Sequence, residues 1–307
     1  MPRKGKTSNN VLEIKPPKKG AFEIETDDFF PKLHTLTIAS GKRGGGKSVA
    51  VANYVSVCLK KGYFDKVWLI SPTYASNKEI WDMVPIDESN VMEPSKFCMK
   101  EIAELVDAER ASWDEFLERK KKYDLYLKDM RKNNLDFNNP EVLSRLLDYE
   151  DLDFFNDEPK WHYKNEVPPR LAVIIDDCVG SDLMRLPSAG LVNTAIKHRH
   201  LGNGLGLSMF MLVQSYACKD GVPRPIRENA THLMLFRITQ EPQVVRLYQE
   251  SDVDMSYDEF YSMLREVHAE PYQFLFMDFA PKEEKYRFRK NFTELLIPKT
   301  KATDDHA

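Results

Sequence analysis

The sequence predicts a three-layer α/β fold, in which helices cover both faces of a mainly parallel β-sheet. Three observations support this prediction. Apolar segments of strand length alternate with helical patterns along most of the 307 residues. Residues 171 to 175 form a continuous apolar run, as in central parallel strands that are covered on both faces. A glycine-rich turn at residues 41 to 46 joins a predicted strand to a predicted helix.

The composition favours a protein with no membrane span and no structural disulfides. Hydrophobic residues make up 42% of the chain, but no apolar run approaches the ~20 residues that a membrane span requires. The amino terminus is polar and basic, unlike a secretory signal. The cysteines stand far apart without a C-x-x-C pair, which predicts free thiols in a soluble protein of a reducing compartment and argues against zinc. They are Cys58, Cys98, Cys178 and Cys218.

The charge is uneven along the chain. The formal net charge is −4, so no overall basic field points to nucleic acid, although a ring-shaped DNA motor needs only a few basic loops per subunit. Lysine and arginine dominate residues 3 to 19, and we predict a disordered basic arm over residues 1 to 20. A solvated tail is its first interpretation, with DNA contact or a nuclear address as alternatives. A main domain is expected over residues 21 to 296, followed by a polar tail at 297 to 307.

The stretch GKRGGGKS, residues 41 to 48, matches the phosphate-binding template G-x-x-x-x-G-K-[ST]. A β-branched, alternating segment at 33 to 40 precedes it, and a helical pattern that ends near Gly62 follows it. The alternative, a glycine-rich surface loop, does not explain this strand–turn–helix context. The glycines let backbone N–H groups converge on one centre, and the helix N-terminus adds positive charge there.

We therefore predict that this loop binds the phosphates of ATP. Lys47 would reach the β- and γ-phosphates, and Ser48 would ligate Mg²⁺ through its hydroxyl. The predicted phosphate-binding residues are Gly41, Lys42, Arg43, Gly44, Gly45, Gly46, Lys47 and Ser48.

The apolar run at 171 to 175 ends in two acids, Asp176 and Asp177, at the strand end where α/β sheets keep their sites. Asp176 would hold Mg²⁺, directly or through water. Asp177 stands where a hydrolytic enzyme needs a base that orients and deprotonates the attacking water. Two acids that merely cap a strand are the alternative, which the phosphate-binding loop in the same chain makes less favourable.

The remaining segments complete the predicted fold. Residues 99 to 166 contain a long amphipathic pattern and an acidic stretch, and are predicted to be a helical insertion, with a further short helix near 140 to 148. Ser256 and Glu259 form a capping box that begins a helix. His198 and His200 have no acid or cysteine at ligand spacing, so a surface or loop role is expected. Further strands are predicted at 66 to 73, 207 to 214, 231 to 238 and, as the last one, 271 to 279.

The order of these motifs resembles that of the FtsK–HerA superfamily of ring ATPases, which have a RecA/ASCE-like P-loop NTPase fold. Walker A is GKRGGGKS and Walker B is VIIDD; KHRH then precedes a strand ending in Gln214, and PIRENATHLMLFR follows. Within the superfamily the chain looks most like the genome-packaging ATPases of large eukaryotic DNA viruses, the poxvirus type, and of virophages. The resemblance covers roughly residues 33 to 280 apart from the insertion.

The resemblance implies roles for particular residues. The superfamily places an extra strand between the Walker A and Walker B strands, and a carboxylate after the Walker B aspartate as the base. Here that base is Asp177, one methylene shorter than the more usual glutamate. Gln214 matches the polar γ-phosphate sensor. Arg199 is the best positional match for an arginine that acts on the neighbouring subunit, but LGNGLG lengthens the step to the Gln214 strand, so Arg227 and Arg237 remain alternatives.

The resemblance also implies a function: an ATP-driven translocase that packages double-stranded viral DNA into a preformed capsid. Its partners would be double-stranded DNA, further copies of the chain in a pentameric or hexameric ring, and capsid vertex proteins. Its location would be the virion or the viral factory, in the cytoplasm or nucleus of the infected cell. Two alternatives remain open: an FtsK–HerA-type DNA pump of a plasmid or cell, and a P-loop phosphotransferase or switch that is not a motor.

Overall fold

The structure is a computed structural model. It describes residues 25–27, 29–132, 139–141, 144, 158–217, 221–251 and 253–298. The predicted basic arm lies outside the described residues, as do most of the predicted short helix near 140 to 148 and most of the polar tail.

The described residues form one sheet of nine strands. The strands are β1 Leu36–Ser40, β2 Lys66–Ile70, β3 Val91–Met92, β4 Leu171–Asp176, β5 Ser208–Val213, β6 His232–Phe236, β7 Phe274–Asp278, β8 Phe288–Lys290 and β9 Glu294–Leu295. Their order across the sheet is β3-β2-β4-β5-β1-β6-β7-β8-β9. The first six strands in this order are parallel to one another, and each of the last three is antiparallel to the strand before it. The mainly parallel α/β fold is confirmed, whereas the prediction that 271 to 279 is the last strand is wrong, because β8 and β9 follow it.

The strand that ends before Gln214 lies between the two Walker strands. β5 pairs with β1 on one side and with β4 on the other, with Ser40 opposite Val213 and Asp176 opposite Leu212. The extra strand that the resemblance implies is therefore confirmed. Because these strands are parallel and in register, their carboxyl ends meet at one edge of the sheet.

Helices cover both faces of the sheet. They are α1 Lys47–Lys61, α2 Lys78–Trp81, α3 Cys98–Lys132, α4 Asp182–Arg185, α5 Leu191–Lys197, α6 Leu201–Gly204, α7 Arg224–Asn229, α8 Glu241–Ser251 and α9 Tyr257–Val267. One face of the sheet packs against α1 and α2, through buried residues such as Val55 and Trp81, and the other face packs against α3, α5, α7, α8 and α9.

Two helix ends follow their predicted caps. Gly62 ends α1 in the left-handed conformation, with φ of 72°, which a glycine adopts without strain. The hydroxyl of Ser256 accepts a 3.2 Å hydrogen bond from the backbone N–H of Glu259 at the start of α9. None of the helices in the described part combines the length and apolarity that a bilayer crossing demands.

The long helix α3 belongs partly to the core. It has 35 residues and a length of about 52 Å. Ile102 and Val106 are fully buried against the sheet, and Trp113 and Phe116 form a separate aromatic cluster with Trp161. Leu117, on the same helix, is exposed. Tyr126, in the second half of α3, is buried as well. A helical insertion into the α/β fold is therefore confirmed, while its bounds at 99 to 166 stay a prediction.

The cysteines within the described residues, Cys58, Cys98 and Cys178, are buried free thiols; Cys218 lies outside. Across the described ranges, no group of three histidine, cysteine, aspartate or glutamate side chains could together hold a metal ion. The reducing compartment that the cysteine pattern suggests stays a prediction.

His198 corrects the prediction of a surface or loop role. Its ring is buried, with 3% exposure, and its Nδ1 lies 2.8 Å from the carbonyl oxygen of Ala195. Nearby, the His34 ring packs against Gly206, and burial lowers the pKa of His34 to about 4, with the adjacent His198 adding to the effect. The sequence cannot show that these two histidines are buried, because His34 and His198 come together only through the pairing of β1 with β5.

This packing makes Gly206 sensitive to substitution. A Cβ at Gly206 would lie 2.3 Å from Cδ2 of the buried His34 ring, at a backbone φ of +82°. We expect Gly206→Ala to destabilise the fold by about 2 to 5 kcal/mol, which combines left-handed strain of about 1–2 kcal/mol with overpacking of about 1–3 kcal/mol. The measurement is denaturation by urea, followed by circular dichroism.

Gly204→Ala is the matched control for that substitution. Gly204 has a similar φ of +87°, but nothing lies within 4 Å of an added Cβ. Only the strain remains there, so Gly204→Ala should cost about 1–2 kcal/mol. Equal destabilisation by the two variants would show that the His34 contact contributes nothing.

Candidate active site

The phosphate-binding loop connects the carboxyl end of β1 to the amino end of α1. At two positions in the loop, the backbone conformation or a close neighbour requires glycine. A Cβ at Gly41 would lie 2.5 Å from Cβ of Phe236, and Gly46 has φ of 93°, in the left-handed region. The N–H of Gly41 donates a 3.1 Å hydrogen bond to the carbonyl oxygen of Val213, which ties the loop to β5.

Lys47 is held against the loop by the loop's own carbonyl groups. Its Nζ donates hydrogen bonds of 2.7 Å to the carbonyl oxygen of Gly41 and 3.1 Å to that of Lys42. The residue is buried, and this burial lowers the pKa of the ammonium group, while the nearby Asp176 and Asp177 carboxylates oppose the shift. The cation is therefore poorly hydrated, which strengthens its attraction for an anion.

The loop opens onto a cleft of about 810 Å³. A cleft of this size is suited to a ligand as large as a nucleotide. Most of the predicted site residues line it, whereas Gly41 and Lys42 lie behind it and act through their carbonyl groups on Lys47. The predicted residues that line the cleft are Arg43, Gly44, Gly45, Gly46, Lys47, Ser48, Asp176, Asp177 and Gln214.

Ser48 and Asp176 face each other across the start of α1. The Ser48 hydroxyl lies 3.2 Å from Oδ1 of Asp176 and donates a hydrogen bond to it. Asp176 is 2% exposed, and burial, reinforced by the charge of Asp177, raises the pKa of Asp176 to about 6 against the opposing hydrogen bond from Ser48. A hydroxyl and a carboxylate are the oxygen ligands that Mg²⁺ prefers, so this pair fits the predicted metal position.

Asp177 and Gln214 contact each other at the ends of β4 and β5. The Gln214 side-chain Nε2 donates a 2.8 Å hydrogen bond to Oδ1 of Asp177. Asp177 has φ of 52°, so its backbone turns sharply out of the strand and directs the side chain to the neighbouring strand end. The two residues that the sequence assigned to the base and the sensor thus form one hydrogen-bonded pair.

A polar segment after β2, which no sequence motif marks, also lines the cleft. Thr73, Ser76 and Asn77 line the wall beside Asp176. Asn77 Nδ2 donates a 3.1 Å hydrogen bond to Oγ1 of Thr73, which lies 3.2 Å from the Ser71 hydroxyl. The signal that could have found them is their position after the carboxyl end of a strand next to the Walker B strand.

The three candidate arginines lie in different surroundings. Arg199 is exposed in a 3₁₀ turn before β5, so it lies at the amino end of the strands, about 20 Å from the cleft by the length of β5. Arg227 is unsuitable, because its guanidinium pairs with both carboxylate oxygens of Glu250 at 2.8 and 2.9 Å and its side chain is 9% exposed. Arg237 is exposed just after β6, at the same edge of the sheet as the loop.

This chain was compared with protein-family models, curated proteins and solved structures, and only the solved structures match it. The sequence matches no protein-family model and no curated protein. Among solved structures, the genome packaging NTPase B204 of Sulfolobus turreted icosahedral virus 2, in complex with AMP, matches with a TM-score of 0.45 and 11% identity, over 85% of this chain and 98% of B204.

Two further matches are ATPases of larger chains. EssC (ATPases 2 and 3) of Geobacillus thermodenitrificans matches with a TM-score of 0.41 and 12% identity, over 85% of this chain and 39% of EssC. The type VII secretion ATPase EccC of Thermomonospora curvata, as its cytoplasmic domain, matches with a TM-score of 0.38 and 14% identity, over 85% of this chain and 26% of that chain. All three matches have TM-scores below 0.5 and identities of 14% or less.

Proposed function

We propose that the protein is an ATPase that binds Mg·ATP in the cleft and hydrolyses it. The observation that carries this proposal is the meeting of three groups at one edge of the sheet: the phosphate-binding loop with Lys47, the Ser48–Asp176 pair, and the Asp177–Gln214 pair. A phosphate loop alone suits any nucleotide-binding protein. A carboxylate beside the metal position, held by a hydrogen bond, suits hydrolysis.

The binding step follows from the loop and its lysine. The backbone N–H groups of the loop and the amino end of α1 attract the phosphates, and Lys47 exchanges its two carbonyl partners for phosphate oxygens. Ser48 and Asp176 would hold Mg²⁺, which when bound neutralises charge on the β- and γ-phosphate oxygens. Gly46 lets the loop approach the phosphates closely, because it carries no side chain.

The hydrolytic step uses Asp177 as the base. Its carboxylate accepts a proton from a water molecule while the water oxygen forms a bond to the γ-phosphorus and the bond from that phosphorus to the β–γ bridging oxygen breaks. The products are ADP and inorganic phosphate, and the proton resides on Asp177 until it passes to solvent. Gln214 positions the base, because its amide N–H donates to the oxygen Oδ1 of Asp177.

The finer proposal is that hydrolysis drives double-stranded DNA into a viral capsid. Its support is the motif series of the sequence, from Walker A to PIRENATHLMLFR, together with the position of β5 between the Walker strands. Under this proposal the partners are DNA, capsid vertex proteins and further copies in a closed head-to-tail ring. A capsid-protein gene adjacent to the gene for this protein would favour packaging over a plasmid or cellular DNA pump.

The ring proposal requires an arginine on a surface that a neighbouring subunit can contact. Of the arginines in the described part of the chain, Arg43 alone lines the cleft. Arg199 is exposed in the turn before β5, at the end of the strands opposite the cleft, so under this proposal it would serve the phosphates of a neighbour and not those of its own subunit. A head-to-tail ring brings the front of one subunit against the back of the next, which is the arrangement that such an arginine requires.

The expected result for a motor is that double-stranded DNA raises the rate of ATP hydrolysis severalfold and that the effect weakens with added salt, since backbone contacts release counterions. The measurement is steady-state phosphate release with and without a long DNA duplex. Lys47→Ala is the control and should show no hydrolysis in either condition. If DNA leaves the rate of hydrolysis unchanged, the ATPase proposal stands and the translocase proposal is rejected. If Lys47→Ala hydrolyses ATP, both proposals are rejected.

A further inference from the structure

Tyr272 lies on the flank of the cleft that faces away from the two acids. It precedes β7, which runs antiparallel to β6, so it reaches the same sheet edge as the phosphate-binding loop. In the sheet order, β5 and β4 lie on one side of β1 and carry Gln214 and the acids. The strands β6 and β7 lie on the other side. The loop therefore separates Tyr272 from Asp177.

The Tyr272 ring packs beside the loop and is open to solvent. A Cβ built at Gly46 would lie 3.4 Å from Cδ1 of Tyr272, so the ring lies against the outer face of that glycine. The side chain is 69% exposed and lines the cleft. The ring is therefore open to contact by a ligand that binds in the cleft.

The backbone holds Tyr272 in this place at a cost. Its φ is 65°, in the left-handed region that a bulky residue rarely adopts. The following strand is fixed to Asn291, whose backbone N–H donates to the carbonyl oxygen of Phe274 at 2.9 Å and whose side-chain Oδ1 accepts from the N–H of Phe274 at 3.3 Å. Strain of this kind at a cleft is typical of ligand clamps, and here glycine would fit the backbone better than tyrosine.

We propose that Tyr272 is the stacking platform for the nucleobase of the bound nucleotide. The inference rests on the proposed function, since it assumes that the γ-phosphate lies by Asp177 and the phosphates follow the loop. The nucleobase of a nucleotide placed in this way lies on the side of the loop away from Asp177, where the ring of Tyr272 lies. The wall formed by Asn77 and Ile80 stands on the side of the acids instead. Stacking on a ring face accepts any base, so the site would discriminate weakly between ATP and GTP.

The test compares two ligands, ATP and inorganic tripolyphosphate, by isothermal titration calorimetry with Mg²⁺ present. Tyr272→Gly removes the ring and relieves the left-handed strain, so the fold should be at least as stable as the parent. We expect it to weaken ATP binding by roughly 5- to 150-fold, the range that aromatic–base stacking supplies, and to leave tripolyphosphate binding unchanged. Tyr272→Phe keeps the ring and should bind ATP within about twofold of the parent.

Phe97→Ala is the matched control, because Phe97 is also a highly exposed aromatic residue, at 62%, but does not line the cleft. It should bind both ligands as the parent does. Unchanged ATP affinity in Tyr272→Gly, or an equal loss for ATP and tripolyphosphate, would overturn the stacking role. A parent protein that binds tripolyphosphate as tightly as ATP would also overturn it while leaving the phosphate site intact, whereas a parent that binds neither would remove the proposed function itself.

Discussion

Arg199→Ala is expected to bind ATP normally and to hydrolyse it about 10³- to 10⁵-fold more slowly than the parent. The reason is that the transition state spreads negative charge over the γ-phosphoryl oxygens, and an arginine from the adjacent subunit would neutralise it. Arg199 is exposed at the end of the strands opposite the cleft. The measurements are ATP binding by calorimetry and phosphate release at matched protein concentration. Lys197→Ala, which removes an exposed cation two residues away, is the control and should keep full activity.

Mixing two inactive variants tests whether the arginine acts between subunits. Under the proposed mechanism, Lys47→Ala would not bind phosphate productively, and Arg199→Ala would not complete its neighbour's site. In a mixed ring, some interfaces pair an intact Lys47 with an intact Arg199, so activity should return to a fraction of the parental rate. Absence of rescue at any ratio, with full activity in a strictly monomeric parent sample, contradicts the ring. If Arg237→Ala loses activity while Arg199→Ala keeps it, the arginine is Arg237.

Asp177→Asn is expected to keep Mg·ATP binding and to lose hydrolysis by about 10²- to 10⁴-fold, the usual contribution of a general base. The substitution should preserve the local structure. Asparagine tolerates the left-handed backbone at this position, φ 52°, and its side-chain oxygen can still accept the hydrogen bond from Gln214. Single-turnover phosphate release after rapid mixing with Mg·ATP measures the loss.

Asp176→Asn is the matched comparison for Asp177→Asn. Asp176 contacts Ser48 rather than Gln214, so its loss should raise the Mg²⁺ concentration needed for ATP binding. The two variants thus differ in which measurement changes: metal dependence for Asp176 and the chemical rate for Asp177. Small and equal effects of both variants would contradict the assignment of separate roles.

The part of the site that the sequence predicts is the part formed by motifs of consecutive residues. The loop at 41 to 48 follows β1 directly, and the acids at 176 and 177 stand at the end of β4, so a local pattern suffices to place them at the sheet edge. The strand order is not local. The contact between Asp177 and Gln214 depends on β5 lying next to β4, which the residues alone do not show and the family resemblance supplied.

The parts that the sequence analysis missed are short or non-local. β8 and β9 contain three and two residues, with charged side chains, and carry no periodic signal. Tyr272 has no motif, because its place beside Gly46 is set by the antiparallel pairing of β7 with β6. Arg227 could not be excluded from the sequence, since its partner Glu250 lies on a different helix.

The outermost strands of the sheet restrict how copies of the chain can associate. Within the described residues, the sheet ends in β3 on one side and in β9 on the other, each only two residues long, and β9 carries the exposed Glu294. Such short borders offer too few unpaired N–H and C=O groups for another strand to add on. Copies should therefore resist joining into continuous sheets or fibrils even at high concentration. Ring contacts would instead use side-chain surfaces, which can separate and re-form during a cycle without breaking backbone hydrogen bonds.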